Sequence, residues 1–340
     1  MTQDPRDPPI FDGHNDVLSR LWRAGSHTSF VTGRDGAIDV EKARTGGFAG
    51  GFFAIFVPSP RQAHMPDPPT PGSAMPAVLA QARICLALER AGALRLCRTA
   101  EDVRTTISTG PLAAVLHLEG AEAIGPDLDA LHVLYAAGLR SIGPVWSRPN
   151  IFGHGVPFKC PADPDIGPGL TDAGIALVRE AEALGMVIDL SHLNAAGVDD
   201  VARVTEGPLI ATHSNAHAIC PHSRNLTDRQ LSLIAERDGM VGLNFASGFL
   251  RPDGRMTSEV SLEILLRHLD HLIGMLGEDR VGLGSDYDGA VVPADLKTAA
   301  DLPVLRALMR DHGYTPALIA KLTHENWIAA LSRAWRTPSV

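Results

Sequence analysis

The sequence is short of cysteine and has no long apolar run. Its 340 residues include four cysteines, and none of them forms a Cys-x-x-Cys pair, so neither a disulfide framework nor a redox motif is expected. No stretch approaches the roughly 20 apolar residues that cross a bilayer. The N-terminus lacks the basic and then apolar pattern of a signal peptide. We therefore expect reduced thiols in a cytoplasmic protein that does not contact a membrane.

Basic clusters and several catalytic motifs are also missing. The net charge is −9 and there is no long basic run, which argues against nucleic acid and anionic membrane as partners. There is no Gly-x-Ser-x-Gly elbow, and no cysteine stands in a convincing Cys/His setting. A Walker-type phosphate loop and a Gly-x-Gly-x-x-Gly fingerprint between strand and helix are absent as well. These absences argue against a nucleophilic hydrolase and a nucleotide-dependent enzyme.

Eight short runs rich in apolar residues recur along the chain, with amphipathic helical patterns between several of them. The runs are Ile10–Val17, Gly51–Val57, Ala113–Glu119, Ser141–Trp146, Met186–His192, Leu209–His213, Met240–Phe245 and Val281–Asp286. Strand and helix in alternation indicate a parallel sheet. Eight strands buried on both faces favour closure into an α/β fold of the (β/α)8 TIM-barrel type. The alternative is an open doubly wound sheet, which would concentrate its polar residues at one crevice.

The whole chain is expected to form one barrel domain, residues 1–340, with C-terminal helices packed outside it. Two segments have the composition of loops. Pro58–Pro76 carries seven prolines, and Trp146–Gly169 is rich in Pro, Gly and Asp. Loops of this length are uncommon in compact domains unless they shape a site.

Residues that can bind a metal ion stand at the ends of five of these runs. They are His14 and Asp16, Glu119, His192, His213, and Asp286 with Asp288. The C-terminal ends of barrel strands meet at one rim, and imidazole together with carboxylate suits zinc. Each residue alone has an ordinary interpretation: a hydrogen-bonded histidine at a strand end, or, for Asp288, a turn cap. The joint pattern predicts a metal site, with more ligands than one zinc ion needs.

The same segments carry a resemblance to a known family. The matching segments, in order, are Asp12–Asp16, Glu119-Gly120, Ile188–His192, His213–Ala216, Arg224–Leu226, Gly284–Gly289, Gly313-Tyr314 and Asn326-Trp327. Over about residues 10 to 335 the chain resembles the membrane (renal) dipeptidase family of binuclear zinc peptidases, which have amidohydrolase-like barrels.

The resemblance implies two Zn²⁺ ions per chain, bridged by Glu119 and a hydroxide. His14 and Asp16 would hold the first ion, and His192 and His213 the second. By the same resemblance, Asp286 would move the proton to the leaving amine. Arg224 would clamp the C-terminal carboxylate of the substrate, a task that suits a guanidinium fork.

One position departs from the family pattern. Trp146 stands where the animal enzymes have a histidine that polarises the scissile carbonyl. His154, flanked by Gly153 and Gly155, is our candidate to take over this contact, and the alternative is a histidine of a surface loop. We count Trp146 and Asp288 as candidate substrate-binding residues.

The predicted function is hydrolysis of short peptides, chiefly dipeptides of L-Xaa-L-Xaa and L-Xaa-D-Xaa type, since the family accepts a D-residue at the C-terminal position. The alternatives are another amidohydrolase-type reaction on a lactam, an N-acyl amino acid or a phosphoester, and a non-catalytic metal-binding protein, which the complete ligand set disfavours. Family members are often homodimers, although the sequence has no interface signature of its own.

Overall fold

The computed structural model describes residues 7–33, 36–58 and 69–335. Within these ranges nine strands form one sheet in which the paired strands are parallel: β1 Ile10–Asn15, β2 Phe48–Phe56, β3 Leu94–Leu96, β4 Leu112–Glu119, β5 Leu139–Gly143, β6 Val187–Ile188, β7 Ile210–Ala211, β8 Met240–Asn244 and β9 Val281–Gly284. Their order is β6-β5-β4-β2-β1-β9-β8-β7. A parallel bridge between Asp189 and Ile210 joins β6 to β7, so eight strands close into a barrel.

The predicted barrel is therefore confirmed, and each of the eight predicted runs overlaps a strand. The strand that the sequence did not indicate is β3. It has three residues with an exposed arginine in the middle, too short to show an alternating pattern. It pairs with Leu112–Ala114 at the start of β4. Further along β4, residues Leu116–Glu119 pair with β5 instead.

Helices connect the strands and surround the barrel. The α-helices are Val17–Arg23, Thr28–Thr32, Val40–Gly46, Pro71–Arg90, Ala100–Thr109, Asp129–Ala137, Asp172–Ala183, Ala195–Val204, Asp228–Glu236, Ser247–Leu250, Glu263–Leu276, Leu302–Asp311, Pro316–Ala320 and Asn326–Ala334, with a π-helical turn at Lys321–Glu325. Among the helices of the described ranges, none is both long enough and apolar enough to cross a membrane.

The prediction of a loop over Pro58–Pro76 was wrong in its last part, and residues 59–68 lie outside the described residues. A helix begins at Pro71, because the Thr70 hydroxyl accepts from the Ser73 N–H in a capping box and proline suits the first helical position. The second predicted loop, Trp146–Gly169, contains neither helix nor strand.

The core has two layers, which follow from the alternation of side chains along the strands. In β4, Ala113 and Val115 belong to an inner cluster, whereas Leu116 and Leu118 pack in the larger cluster between strands and helices. The inner cluster collects side chains from six barrel strands around Trp327: Phe11, Phe52, Val115, Val187, Ile210 and Met240. The Trp327 indole N–H donates to the carbonyl of Leu283 in β9 at 2.9 Å. A side chain from the helix Asn326–Ala334 thus fills the interior below the strand ends.

Replacing Trp327 by alanine is expected to lower the free energy of unfolding by about 3–5 kcal/mol, because a fully buried aromatic side chain leaves a cavity that the barrel cannot collapse. Urea unfolding followed by circular dichroism measures the loss. Trp335→Ala is the matched control, since the Trp335 side chain is half-buried and lies beyond the inner cluster's centre, donating to the carbonyl of Arg140. Equal midpoints for the two variants would contradict the role given to Trp327.

Candidate metal centre and active site

Glu119 lies at the C-terminal end of β4 and faces three histidines. Its Oε1 is 2.9 Å from His192 Nε2, 3.5 Å from His213 Nε2 and 3.6 Å from His14 Nε2. His14 belongs to β1, while His192 and His213 follow β6 and β7. The barrel therefore brings together side chains that are far apart in the sequence, as the strand-end argument predicts.

The cluster contains two groups of three possible ligands that share Glu119. One is His14, Asp16 and Glu119, and the other is Glu119, His192 and His213. All five residues are buried, and the ligand atoms of each group lie within 4.8 Å of one another. Neither ring nitrogen of His14 has a hydrogen-bond partner among the described residues. Imidazole nitrogens and carboxylate oxygens are the donors that zinc takes in catalytic sites, so these side chains fit two divalent ions that share one carboxylate.

The electrostatics of the cluster also favour a cation. Burial and the charge of Arg224 hold the pKa of His192 well below its usual range, and burial does the same for His213. Burial raises the pKa of Glu119 to about 8, although His14 opposes this shift. Burial lowers the pKa of His14, but the charges of Glu119 and Asp16 outweigh it and raise the pKa to about 10. A divalent cation would let the carboxylates stay charged and the histidines neutral, which is the state that metal ligation requires.

Asp286 lies on the same rim, after β9. Its Oδ2 accepts a hydrogen bond of 3.0 Å from the Asn244 side-chain amide, and its backbone N–H donates to the carbonyl of His14. Burial raises the pKa of this carboxyl group, against the lowering effect of His14. Asp286 and His192 have φ angles of 59° and 73°, in the left-handed region that costs a non-glycine residue about 1–2 kcal/mol. Backbone strain of this kind concentrates at functional sites.

Arg224 is buried behind His213. Its two terminal nitrogens donate to the Ser214 hydroxyl at 2.7 Å and to the carbonyl of His213 at 2.9 Å. Its Nε has no hydrogen-bond partner in the described part of the chain. The guanidinium carbon lies 5.8 Å from the centre of the Phe249 ring. Arg224 therefore keeps its Nε–H unpaired among the described residues, and its guanidinium group lies next to Phe249, which lines the cavity described below.

A cavity of about 370 Å³ opens above the cluster. Its lining residues include Asp16, Glu119, His192 and Asp286 from the rim and an apolar wall of Phe56, Trp146, Phe158, Phe249 and Met256. The centre of the Trp146 ring is 5.1 Å from that of Phe56, 5.4 Å from Phe158 and 5.8 Å from His192. Trp146 thus forms part of the apolar wall of the cavity.

Five of the sequence-predicted residues do not line this cavity: the candidate ligands His14 and His213, and Arg224, His154 and Asp288. His154 is half-buried, and its Nδ1 is 3.3 Å from the carbonyl oxygen of Gly169. Asp288 has both oxygens engaged elsewhere, one by Arg20 at 2.9 Å and one by the backbone N–H of Ala37 at 2.7 Å. Neither residue lines the cavity. For Asp288 this arrangement favours the turn interpretation, because its acceptors already hold the turn against two distant segments.

The sequence pattern of the membrane dipeptidase family, peptidase family M19, matches residues 5–337. The chain belongs to this family. It is similar to a metallopeptidase from Rhodobacter sphaeroides that was solved with a phosphinate mimic of the dipeptide L-Ala-D-Ala. The two are 52% identical over 97% of this chain and 100% of the other, with a TM-score of 0.93. It is also similar to a solved metallopeptidase named dipeptidase AC, at 55% identity over 96% and 99% of the two chains and the same TM-score of 0.93.

A relative from Klebsiella pneumoniae, an uncharacterized protein in the pqqA 5′ region, is 47% identical over 72% of this chain and 91% of its own length. Together these likenesses make the chain an enzyme of the metallo-dipeptidase type, with metal ions at its active site. The sequence did not indicate a role for Ser147, Asp189 or Thr212, although Ser147 and Thr212 contact the candidate ligands His192 and His213, and Asp189 accepts from Thr212. The sequence shows that these three residues stand close to strand ends, but it does not show where their hydroxyl and carboxyl groups point.

Proposed function

We propose that this chain hydrolyses dipeptides, including L-Xaa-D-Xaa dipeptides, with two zinc ions held by the predicted ligands. The observation that carries the proposal is the placement of Glu119 Oε1 within 2.9–3.6 Å of the Nε2 atoms of three histidines. His14 and Asp16 would hold one ion and His192 and His213 the other, with Glu119 shared. The ligand of the Rhodobacter sphaeroides relative supports the substrate class. A cytoplasmic location and a homodimer, both expected from the sequence, stay predictions.

Two such ions, when bound, lower the pKa of a bound water towards neutrality and polarise the scissile carbonyl. The chain's own residues supply the proton chemistry. Asp286 lines the cavity beside Asp16 and Glu119, and its raised pKa suits a group that accepts a proton and then gives it to the departing amine. The amide of Asn244 orients this carboxylate by donating to Oδ2.

Arg224 supplies the limit on substrate length in this proposal. A carboxylate at the C-terminus of the substrate would pair with the Arg224 guanidinium, whose Nε has no partner among the described residues. Side-chain rearrangements at a binding site are common, and Phe249 is the cavity residue next to this group. A buried guanidinium that pairs with no carboxylate in the described ranges favours substrates that end in a carboxylate.

The test is turnover of a panel of L,L and L,D dipeptides by the zinc-reconstituted protein, with matched tripeptides and C-terminal amides. We expect hydrolysis of dipeptides and little turnover of the amides. Absence of turnover of every dipeptide, by protein shown to contain two ions, would reject the proposal and leave a lactam, an N-acyl amino acid or a phosphoester as the candidate substrate.

Arg224→Ala is expected to raise KM for dipeptides about 10–100-fold with a smaller change in kcat, because a hydrogen bond to a charged group contributes about 1.5–3 kcal/mol. Steady-state kinetics on one good dipeptide measures the split. Arg229→Ala is the matched control, since Arg229 is exposed and pairs with Asp199 far from the cavity. An unchanged KM in Arg224→Ala would favour a substrate without a terminal carboxylate.

A further inference from the structure

Two hydroxyl groups contact the histidines of the second ligand group on the side away from Glu119. The Ser147 hydroxyl is 2.8 Å from His192 Nδ1, and the Thr212 hydroxyl is 2.7 Å from His213 Nδ1. The Nε2 atoms of the two histidines are 3.2 Å apart and face the same carboxylate. The hydrogen bond at Nδ1 decides which ring nitrogen carries the proton and therefore which one has a lone pair for a metal ion.

The proton of Thr212 has a fixed direction. Asp189 Oδ1 accepts from the backbone N–H groups of Ser191 at 2.9 Å and Thr212 at 2.8 Å. The Oδ2 of Asp189 accepts from the Thr212 hydroxyl at 2.5 Å, while His117 Nε2 lies further away at 3.5 Å. A hydroxyl has one proton. Once that proton is given to Asp189, the Thr212 oxygen can only accept from His213.

The relay from Asp189 through Thr212 to His213 is buried throughout, with side-chain exposures of at most 2% at its carboxylate and imidazole ends. Asp189 Oδ2 is 4.0 Å from His213 Nδ1, so the carboxylate acts on the ring through the hydroxyl rather than directly. Ser147 differs, because no second partner of its hydroxyl is found among the described residues.

We infer that Asp189 and Thr212 are positioning residues that hold His213 in the tautomer whose Nε2 lone pair faces Glu119. The inference rests on the proposed function, in which His213 is a metal ligand. The relay prepares this nitrogen for ligation before any ion arrives. Neighbours that orient a ligating histidine in this way typically change metal affinity about 10–100-fold when they are lost.

Asp189→Asn reverses the relay. The asparagine oxygen would keep the two backbone N–H bonds, and its NH₂ group would then donate to the Thr212 oxygen. The Thr212 proton would turn to His213 Nδ1, and the ring proton would move to Nε2, which would no longer have a lone pair. Thr212→Val removes the middle of the relay and leaves either tautomer open. Asp189→Asn should therefore lower the zinc affinity more than Thr212→Val does. Adding Thr212→Val to Asp189→Asn should restore part of the lost affinity.

The experiment is competition for zinc between a chelator of known affinity and the full-length parent, Asp189→Asn, Thr212→Val, the double variant and Thr212→Ser. We expect the affinity for the zinc ion held by His192 and His213 to fall about 10–100-fold in Asp189→Asn and only several-fold in Thr212→Val. The double variant should lie near Thr212→Val, and Thr212→Ser near the parent. Ser147→Ala should lower the zinc affinity about as much as Thr212→Val, because it removes one hydroxyl contact and reverses the direction of no hydrogen bond.

Ring ¹⁵N shifts of His213 in the metal-free protein give a readout independent of activity, with protonated Nδ1 expected in the parent and protonated Nε2 in Asp189→Asn. Equal zinc affinity of Asp189→Asn and the parent, or additive losses in the double variant, would overturn the inference. If Asp189→Asn does not fold, the contrast between Thr212→Val and Thr212→Ser decides, and equal affinities there would overturn it. Failure of the parent itself to bind zinc would instead overturn the proposed function.

Discussion

Replacing Glu119 by glutamine should reduce dipeptide hydrolysis by more than about a thousandfold. Glu119 is common to both ligand groups, and an amide is a weaker ligand than a carboxylate for both ions. Bound divalent ions would lower the pKa of a water ligand towards neutrality, so weaker ligation would remove the nucleophile available near neutral pH. The measurement is kcat/KM beside the metal content of the same sample, with fewer than two ions per chain expected after mild chelation.

Glu122→Gln is the control for this variant. Glu122 is also buried and lies three residues further along, but it pairs with Arg148 at 2.8 Å and belongs to neither ligand group. Its replacement should lower stability and leave the metal content at the parent's value. A Glu119→Gln variant that retains two ions and the parent's kcat/KM would show that Glu119 is not the shared ligand.

Replacing Asp286 by asparagine should lower kcat by about 10²–10⁴-fold, the usual contribution of a positioned general acid and base. KM should change little, because the role assigned to Asp286 is in proton transfer rather than in holding the substrate. Asparagine keeps the shape of the side chain and tolerates the left-handed φ of 59°. Metal content should match that of the parent, which separates loss of proton transfer from loss of the ions.

Asp288→Asn is a matched control from the same turn, where Asp288 also has a left-handed φ of 67°. Its oxygens hold Arg20 and Ala37, so we expect lower stability and a KM near that of the parent. A raised KM would restore the sequence-based prediction that Asp288 binds substrate. His154→Ala, measured beside it, tests the other prediction: a kcat near the parent's would exclude His154 from the carbonyl contact.

The fold and the ligand cluster were predictable for the same reason. His14, Glu119, His192 and His213 stand at or just after strand ends, and parallel strands closed into a barrel bring those ends to one rim. The number of strands and their direction were therefore enough to predict that these residues lie together. Their side-chain separations and burial could not be predicted, because they depend on the register between strands and on how β6 ends after two residues.

The remaining predictions depended on contacts between distant parts of the chain. Asp288 lies in a segment that the sequence suggested as part of a binding motif. The direction of its side chain is set by Arg20, which is 268 residues away in the sequence. His154 lies between two glycines, yet its Nδ1 is beside the carbonyl of Gly169. Trp327 was visible within a motif, but its place inside the barrel depends on a hydrogen bond to β9. The local sequence pattern identifies the residue at such a position, but it does not show which distant group that residue contacts.

The left-handed backbone at His192 and Asp286 affects which substitutions are expected at these two positions during evolution. Glycine would adopt those conformations without the steric cost that histidine and aspartate bear. Selection for catalysis retains side chains there that selection for stability alone would discard. A gene copy released from the need for activity is therefore expected to lose this histidine and this aspartate early. Retention of His192 and Asp286 in a natural variant is for that reason a sign that its chemistry is still in use.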